Sequence, residues 1–458
     1  MSHHHRPDPI GPLAAAIAGA FVAGKWAPEP MGSRAARALG EGRRRAWLVH
    51  LAADVVAAWP EPPLDRPREL TAFVAAHPRL AQAMGSTARG LPKLRARTWA
   101  GTPTEMAPAR WAVRPIDDLA ALAAWLGVDA GRLAWFCDVR SLERTAKDEA
   151  LRHYSRRWVG KADGSARLLE APKRELKDLQ RQVLRQVLDR IPPHPAAHGF
   201  RSGRSALTAA APHVGRAVVV RLDLEAFFTS VSAGRVYGLF RLAGYPEPVA
   251  HSLAGLCTTA APVAALRAAP AANPERPATI ERRRRLLHRL AAPHLAQGSP
   301  TSPALANLIA HRLDRRLTGL AAAMGATYTR YADDLVFSGD ASLGRRGAAE
   351  RLEAQVAEIA RDEGFRVHDG KTRVRTAAQR QVVTGLVVNS EAGPRVARVE
   401  YDRLRAVLHD AARSGPAAAN REGHDDFRAH LLGRISWVAA TSPARAAKLR
   451  EAYAAVDW

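Results

Sequence analysis

Residues 329–339 read TRYADDLVFSG. Two carboxylates, Asp333 and Asp334, stand side by side between a Thr/Tyr run and a Leu/Val/Phe run that otherwise has the composition of buried strand. Neighbouring ionised carboxylates repel, so burial without a cation pushes at least one pKa well above the usual ~3.9. Two readings stand open at this point. Asp bonds readily to its own backbone, so ADD between strands is ordinary hairpin-turn chemistry; the alternative is a divalent metal site. A third acid at the end of another strand, with phosphate-handling residues nearby, would favour the metal.

Such an acid occurs in AVVVRLDLEAFFTSV at 217–231, a Val-rich segment that reads as a buried strand ending in Asp223. Two metal ions ~3.5–4 Å apart need carboxylates from separate strands to bridge them, and that pair activates a 3′-hydroxyl and stabilises a leaving pyrophosphate. Asp223, Asp333 and Asp334 are therefore candidate metal ligands of a polymerase. QGSPTSPALANLIAHRLDRRL reads as a turn opening a helix, where Gln297 and Gly298 are candidates for touching an incoming nucleotide. Lys371, in GFRVHDGKTRV, is a candidate general acid for the leaving group.

Charge agrees with this chemistry. The 458 residues carry a formal net charge of +24, which a polyanionic partner explains and a merely solvated surface rarely needs. No apolar run of about 18 residues and no basic amphipathic anchor is evident, so no membrane partner is expected. Pro and Asp precede the Ala-rich start and no clear cleavage site follows, so no signal peptide is expected; His3–His5 are left out of the reading. Two cysteines, Cys137 and Cys257, allow neither a disulfide framework nor a Cys-based zinc site, in keeping with a cytoplasmic protein.

Along the chain, residues 1–110 are Ala-rich and broken by WPEPPLDRP at 59–67 and AGTPTEMAPAR at 100–110, which suggests a separate helical appendage. SRAARALGEGRRRAWLVHLAADVVAAW at 33–59 is its clearest helix. From 117, DDLAALAAWLGVDAGRLAWFCDV predicts two short helices around a Gly, a pattern shared by helix-turn-helix units and plain helical hairpins. RRWVGKADGSARLLEAP predicts a strand-turn-strand, and KRELKDLQRQVLRQVLDRI a helix with Leu176, Leu179, Val183, Leu184, Val187 and Leu188 at helical spacing. A Gly/Arg loop, AHGFRSGRSALTAAAPHVGR, follows; glycine lets backbone approach a phosphate and Arg brings forked donors. Residues 258–293, with ERRRRLLHR, read as a basic helical insertion whose charged side is solvated or faces RNA. A helix is expected over about 345–363, and three helices over 400–458 with a joint at ANREGHDD.

The order DLEAFF, QGSPTSP, YADD and GF…K resembles the palm motifs of reverse transcriptases. RLLEAPKRELKDLQ, AHGFRSGRS, RYADDLVFSG and VTGLVVN are similar to those of bacterial retron reverse transcriptases, over about residues 115–458. The resemblance implies an α+β right-hand polymerase with an extra N-terminal helical region: 1–110 an extension, 111–215 N-terminal helices and fingers, 216–395 palm, and 396–458 a helical thumb. It implies two Mg2+ ions, with Mn2+ as a possible substitute, held by Asp223 and Asp333 with Asp334 and Leu224 beside them. Phe228 would be the steric gate against a ribose 2′-hydroxyl, while Phe227 is the more ordinary core aromatic. Arg167, Lys173, Arg201 and Arg204 would lie around triphosphate or template, and His213, Val383, Thr384 and Gly385 would serve RNA recognition.

Two departures from the family pattern occur. Its Asn-Ala-x-x-His reads AAAPH here, with Ala209 in place of the Asn and His213 kept, and the Pro usual before QGSP is Ala296. The activity implied is reverse transcription of a cognate structured noncoding RNA, primed from an internal 2′-hydroxyl, into branched RNA-linked DNA from dNTPs. Antiphage defence, with an effector or toxin protein as a further partner, is the role implied. Other bacterial reverse transcriptases (group II intron, diversity-generating or abortive-infection types) are the alternative, although an intron protein is expected to continue beyond Trp458. A nonenzymatic nucleic-acid-binding relic is disfavoured by the intact Asp223, Asp333 and Lys371.

Overall fold

The computed structural model describes residues 10–39, 46–63, 66–85, 106–161, 163–272, 277–345, 347–368 and 370–458. The chain divides into two compact units, one of Met1–Pro108, Pro115–Leu133 and Tyr245–Val249, the other of Ala109–Arg114, Ala134–Gly244 and Ala250–Trp458.

In the first unit the helices Ile10–Val22, Pro28–Ala38, Ala46–Ala58, Pro67–Ala76 and Pro78–Gly85 share a core of Leu13, Ile17, Phe21, Met31, Leu48, Leu51, Val55 and Leu70. Proline suits the first turn of a helix, where its missing N–H is needed least. Arg34 satisfies the end of the first helix by donating to the carbonyls of Ala20, Phe21 and Lys25. Of the single helix expected over 33–59, the described residues hold the end of Pro28–Ala38, capped at Leu39, and Ala46–Ala58. Residues 40–45 lie outside the described residues, as does most of the loop expected at 100–110. The expected short pair is present: Asp118 caps Leu119–Leu126 by accepting from the Ala121 N–H, Gly127 ends it at φ +70°, and Ala130–Phe136 follows.

The second unit holds every strand. Tyr154–Gly160 (β1) and Ala166–Pro172 (β2) form the expected hairpin, with Tyr154 opposite Pro172. Its root is fixed by a buried polar network. Arg156 donates to Glu170, Glu143 and Thr259 at 2.9, 2.6 and 2.9 Å, and His294 Nε2 lies 2.7 Å from the other Glu170 oxygen. The helix Arg174–Gln186 buries Leu176, Leu179 and Val183 on the predicted face. Gln180, buried among them, donates to the Tyr154 hydroxyl and the Leu256 carbonyl and accepts from Ser299 Oγ, so the QGSP turn is held by this helix.

Val218–Asp223 (β3), Thr327–Tyr331 (β4), Asp334–Gly339 (β5) and Arg373–Thr376 (β6) make an antiparallel sheet in the order β4-β5-β3-β6. The valines and Leu222 of β3 are buried, as their run predicts. The register sets Asp223 opposite Asp334, and Leu224 N–H donates to the Asp333 carbonyl at 2.9 Å. Val382–Val383 (β7), Leu386–Val387 (β8) and Arg395–Val396 (β9) form a second small sheet. Val383 and Leu386 share a core with Val219 and Val336 of the larger sheet and with Leu404, Leu431, Ile435 and Leu449 of the C-terminal helices. Those helices are Arg398–Ser414, Phe427–Ala439 and Pro443–Ala454, as expected, plus a short Pro416–Ala419, with the joint where ANREGHDD predicts it. Among the described residues no single helix is long and apolar enough to cross a membrane.

One ion pair anchors the β4–β5 hairpin. Arg330 is fully buried, and its guanidinium grips Asp314 with two bonds of 2.8 and 2.7 Å. It also donates to Asn307 Oδ1 and to the carbonyl of Ala332 in the turn itself, while the Tyr328 hydroxyl donates to Asp314 at 2.9 Å. Breaking a buried pair strands one charge, at a typical cost of about 3–5 kcal/mol, whereas replacing both members by apolar groups is far milder. In chemical denaturation, Asp314→Ala should lose stability on that scale and the double variant Asp314→Leu/Arg330→Met should regain much of it. Equal losses in the two would mean the pair is not the anchor.

Candidate active site

The two strand ends meet at one cleft. It is walled by Trp158, Lys161 and Arg167 of the β1–β2 hairpin, floored by Asp223–Thr229 and Asp333, and closed by Gln297, Lys371 and the segments around Ala269–Ala272 and Arg282–Arg283. Asp333 sits in a two-residue turn with Ala332, whose φ is +57°. Gly199 makes this turn possible: a Cβ there would lie 2.7 Å from the Ala332 nitrogen. Chain 196–198 runs beside β4, with Arg330 N–H on the Ala196 carbonyl and His198 N–H on the Arg330 carbonyl. The AHGF loop thus buttresses the Ala332–Asp333 turn with its backbone.

The carboxylates are unequally compensated. Lys371 Nζ is 3.0 Å from Asp223 Oδ2, and Arg221 reaches Asp334 Oδ1 at 3.3 Å. Among the described residues Asp333 has no such ion-pair partner, and burial together with the neighbouring Asp223 raises its pKa to about 6. Burial also raises Asp334, against the opposing pull of Arg221. Among the described residues no group of three or more His, Cys, Asp or Glu side chains is arranged to hold an ion alone. The donor set fits magnesium nonetheless: it is all oxygen, it carries unneutralised charge, and Mg2+ uses only one or two protein carboxylates with water and substrate phosphates completing its shell.

Of the sequence-predicted residues, the cleft brings together Asp223, Leu224, Asp333, Lys371, Phe228, Gln297 and Arg167, with Asp334 opposite Asp223 on the adjoining strand. Phe228 is half-buried beside Phe200, their ring centroids 5.9 Å apart. Phe227 is the core aromatic of the pair, with the Arg330 guanidinium 5.4 Å from its ring centroid. Gly298 does not line the cleft. At φ +140° it lies against β2, where a Cβ would meet the Glu170 carbonyl at 2.8 Å, so its small size serves a close backbone crossing.

Lys173 and Arg201 also lie outside the cleft, bonded to the carbonyls of Glu149 and His194, and Arg204 is exposed. His213 cannot meet RNA here, because it is completely buried. Its Nδ1 and Nε2 lie 2.6 and 2.7 Å from Ser338 Oγ on β5 and Thr329 Oγ1 on β4, so it clips the hairpin strands together. Thr329 also donates to the carbonyl of Ala209, the residue standing where the family has Asn. Val383 is buried, whereas Thr384 and Gly385 form the turn between β7 and β8, both at positive φ. Two positive φ values mark a type I′ turn, an unusual place for a β-branched residue. Thr384 is held there by donating to the Ala206 carbonyl at 2.9 Å.

Cleft residues that the sequence reading missed are Trp158, Lys161, Phe200, Arg282 and Arg283. For Phe200 a signal existed, since it follows the glycine of a Gly/Arg loop. The arginines were indistinguishable within ERRRR.

Comparison with known proteins follows the same lines. Residues 159–388 match the family model described as reverse transcriptase (RNA-dependent DNA polymerase). The chain is 44% identical over 329 residues to the retron Mx65 reverse transcriptase of Myxococcus xanthus, a match covering 72% of this chain and 69% of the relative. It is 40% identical to the retron Mx162 reverse transcriptase of the same organism (72% and 65% covered) and 33% identical to the retron Ec86 reverse transcriptase of Escherichia coli (53% and 64%).

Two buried histidines give the site a pH signature. Burial lowers His213 to about 3 and, with Arg204 and Arg201 near, His198 to about 4. Depressed folded values mean that the unfolded chain takes up protons first as acid is added. Their stabilising contribution is complete above the ordinary ~6.5 and is lost as the pH falls toward the folded values. Denaturation midpoints should therefore fall from about pH 7 to about pH 5, and the slope should be shallower in His213→Gln whatever its absolute stability. An identical slope in the variant would show that His213 is not buried neutral.

Proposed function

The chain belongs to the reverse transcriptases, on their retron branch, and from that membership we propose that it copies one structured noncoding RNA into single-stranded DNA that remains joined to the RNA. It is an RNA-directed DNA polymerase, as its family is. In the right-hand arrangement we assign residues 111–215 to N-terminal helices and fingers, 216–395 to the palm and 396–458 to the thumb, with 1–110 as an added helical region. The convergence of Asp223 and Asp333 from separate β segments in the cleft that Phe228 also lines carries the reading.

Asp223, Asp333 and the Leu224 carbonyl, with Asp334 at the edge, would hold two Mg2+ ions or Mn2+ in their place; when bound, these supply activation of the attacking hydroxyl and neutralisation of the departing pyrophosphate. The protein's own groups do the rest. Phe228 presents its ring where the sugar 2′ position of an incoming nucleotide lies and excludes a hydroxyl there. Arg167, exposed at the cleft wall, faces the triphosphate. Lys371 holds a proton 3.0 Å from Asp223 Oδ2 and delivers it to the leaving pyrophosphate once that carboxylate is engaged elsewhere. A hydrogen bond from Ser299 Oγ to Gln180 and one from the Glu170 N–H to the Gln297 carbonyl fix the QGSP turn, so Gln297 is set before substrate arrives. The Thr384–Gly385 turn and Arg204 offer contacts to the cognate RNA. A cytoplasmic setting fits the two buried free cysteines, and antiphage defence is the role we propose.

The test is to isolate the protein with its native locus and sequence the bound nucleic acid before and after RNase and debranching treatment. One discrete DNA joined to RNA through a 2′,5′ bond is expected. Asp333→Asn should hold the same RNA and no DNA. Heterogeneous or unbranched DNA would overturn the retron product, and loss of RNA binding in Asp333→Asn would make the acid structural.

A second outcome concerns the gate. Phe228→Ala should incorporate ribonucleotides far more readily relative to deoxynucleotides, as competition assays on one template would read out. Unchanged selectivity would remove Phe228 from that role.

A further inference from the structure

The helix Pro277–Ala291 in the basic insertion is bolted beside the catalytic strand by its arginines. Arg285 grips Glu225, two residues after Asp223, with bonds of 3.1 and 2.7 Å. Arg289 adds a contact to the same carboxylate at 3.7 Å and a bond to the Glu225 carbonyl at 3.3 Å. Arg283 donates to the carbonyls of Pro270 and Ala269, tying down the segment that precedes the helix. Arg284 points away, its side chain 83% exposed.

That division of labour leaves Arg282. It lies on the helix face formed by Thr279, Arg282, Arg283 and Leu286, residues three and four apart, and this face lines the same cleft as Lys161 and Arg167. Its Nε is buried and finds no hydrogen-bond acceptor among the described residues. Leaving such a donor without a partner is costly. With arginine forks suited to phosphate oxygens, we propose that Arg282 receives a phosphate of the incoming nucleotide's triphosphate tail, completing from the insertion side a cationic cradle begun by Lys161 and Arg167. The insertion is thereby part of the nucleotide site, held in register by Glu225.

This inference rests on the reading of the cleft as a deoxynucleoside triphosphate site. Steady-state extension of the cognate RNA primer-template by the full chain tests it, with dNTP concentration varied and inorganic pyrophosphate added as product inhibitor. Arg282→Ala should raise the dNTP KM and the pyrophosphate inhibition constant together, by roughly tenfold or more for a lost charge-assisted bond. RNA affinity should stay within about twofold. Arg282→Lys should recover part of the loss, and Arg284→Ala should behave as the native protein. If both constants are unmoved in Arg282→Ala, or if only RNA affinity falls, the phosphate belongs elsewhere or to the template backbone and the inference is overturned. Failure of the native protein to use dNTPs at all would instead refute the reading beneath it.

Discussion

A guanidinium sealed from solvent sets the geometry of this polymerase site. Arg330 lies three residues before Asp333, and its donors go to Asp314, Asn307 and the Ala332 carbonyl. Burying two opposite charges gains little net stability, since desolvation offsets their attraction. What the pair supplies is position. Asp314 belongs to the helix His311–Ala323 and Asn307 to Ser302–Ile309, so the hairpin is pinned to the helices that follow QGSP. Asn307 also donates to the Gly199 carbonyl, which draws the AHGF loop onto the same point. Three regions far apart in sequence are fastened through Arg330 and Asn307.

Electrostatics in the cleft follow from that frame. Acids occupy the floor, and cations stand on three walls contributed by separate elements: Lys161 and Arg167, Arg282, and Lys371. Asp223 and Asp334 each have a cation, whereas Asp333 is left with a pKa near 6. A carboxylate pair of this kind is poised for a divalent cation, because the ion removes the repulsion that raises the pKa. The protein thus leaves its compensation incomplete at Asp333, the acid on which the proposed metal site depends.

Much of this was legible because strands announce themselves by composition. The Val run up to Asp223 and the Leu-Val-Phe run after Asp334 are buried on both sides of the sheet, and an acid ending a separate strand favoured the metal reading of the adjacent pair over turn chemistry. Less legible were groups whose role depends on a partner more than a hundred residues away. His213 read as an RNA contact, yet it bonds Ser338 and Thr329 across the hairpin. Gly298 read as a nucleotide contact, yet its space is filled by the Glu170 carbonyl. Within ERRRR, no local rule separates Arg285, which holds Glu225, from Arg282, which faces the cleft. Helical phase against a specific neighbour decides that, and the neighbour is invisible in one dimension.

Backbone strain supplies the last link between frame and site. Among the described residues six non-glycine residues have positive φ, and three of them, Phe200, Ala226 and Ala332, line the same cleft. Such conformations cost on the order of 1–3 kcal/mol each and persist only where the surroundings over-determine them. Here the surroundings are identifiable: Arg330 on the Ala332 carbonyl, Asn307 on the Gly199 carbonyl beside Phe200, and the Ser230 N–H on the Ala226 carbonyl. Glycine would relieve the strain at each position, but it would also let the turn that carries Asp333 and the loops that carry Phe200 and Phe228 sample other shapes. The buried ion pair and the strained turns are therefore two halves of one arrangement, in which packing energy spent far from the chemistry holds the reacting groups in place before substrate arrives.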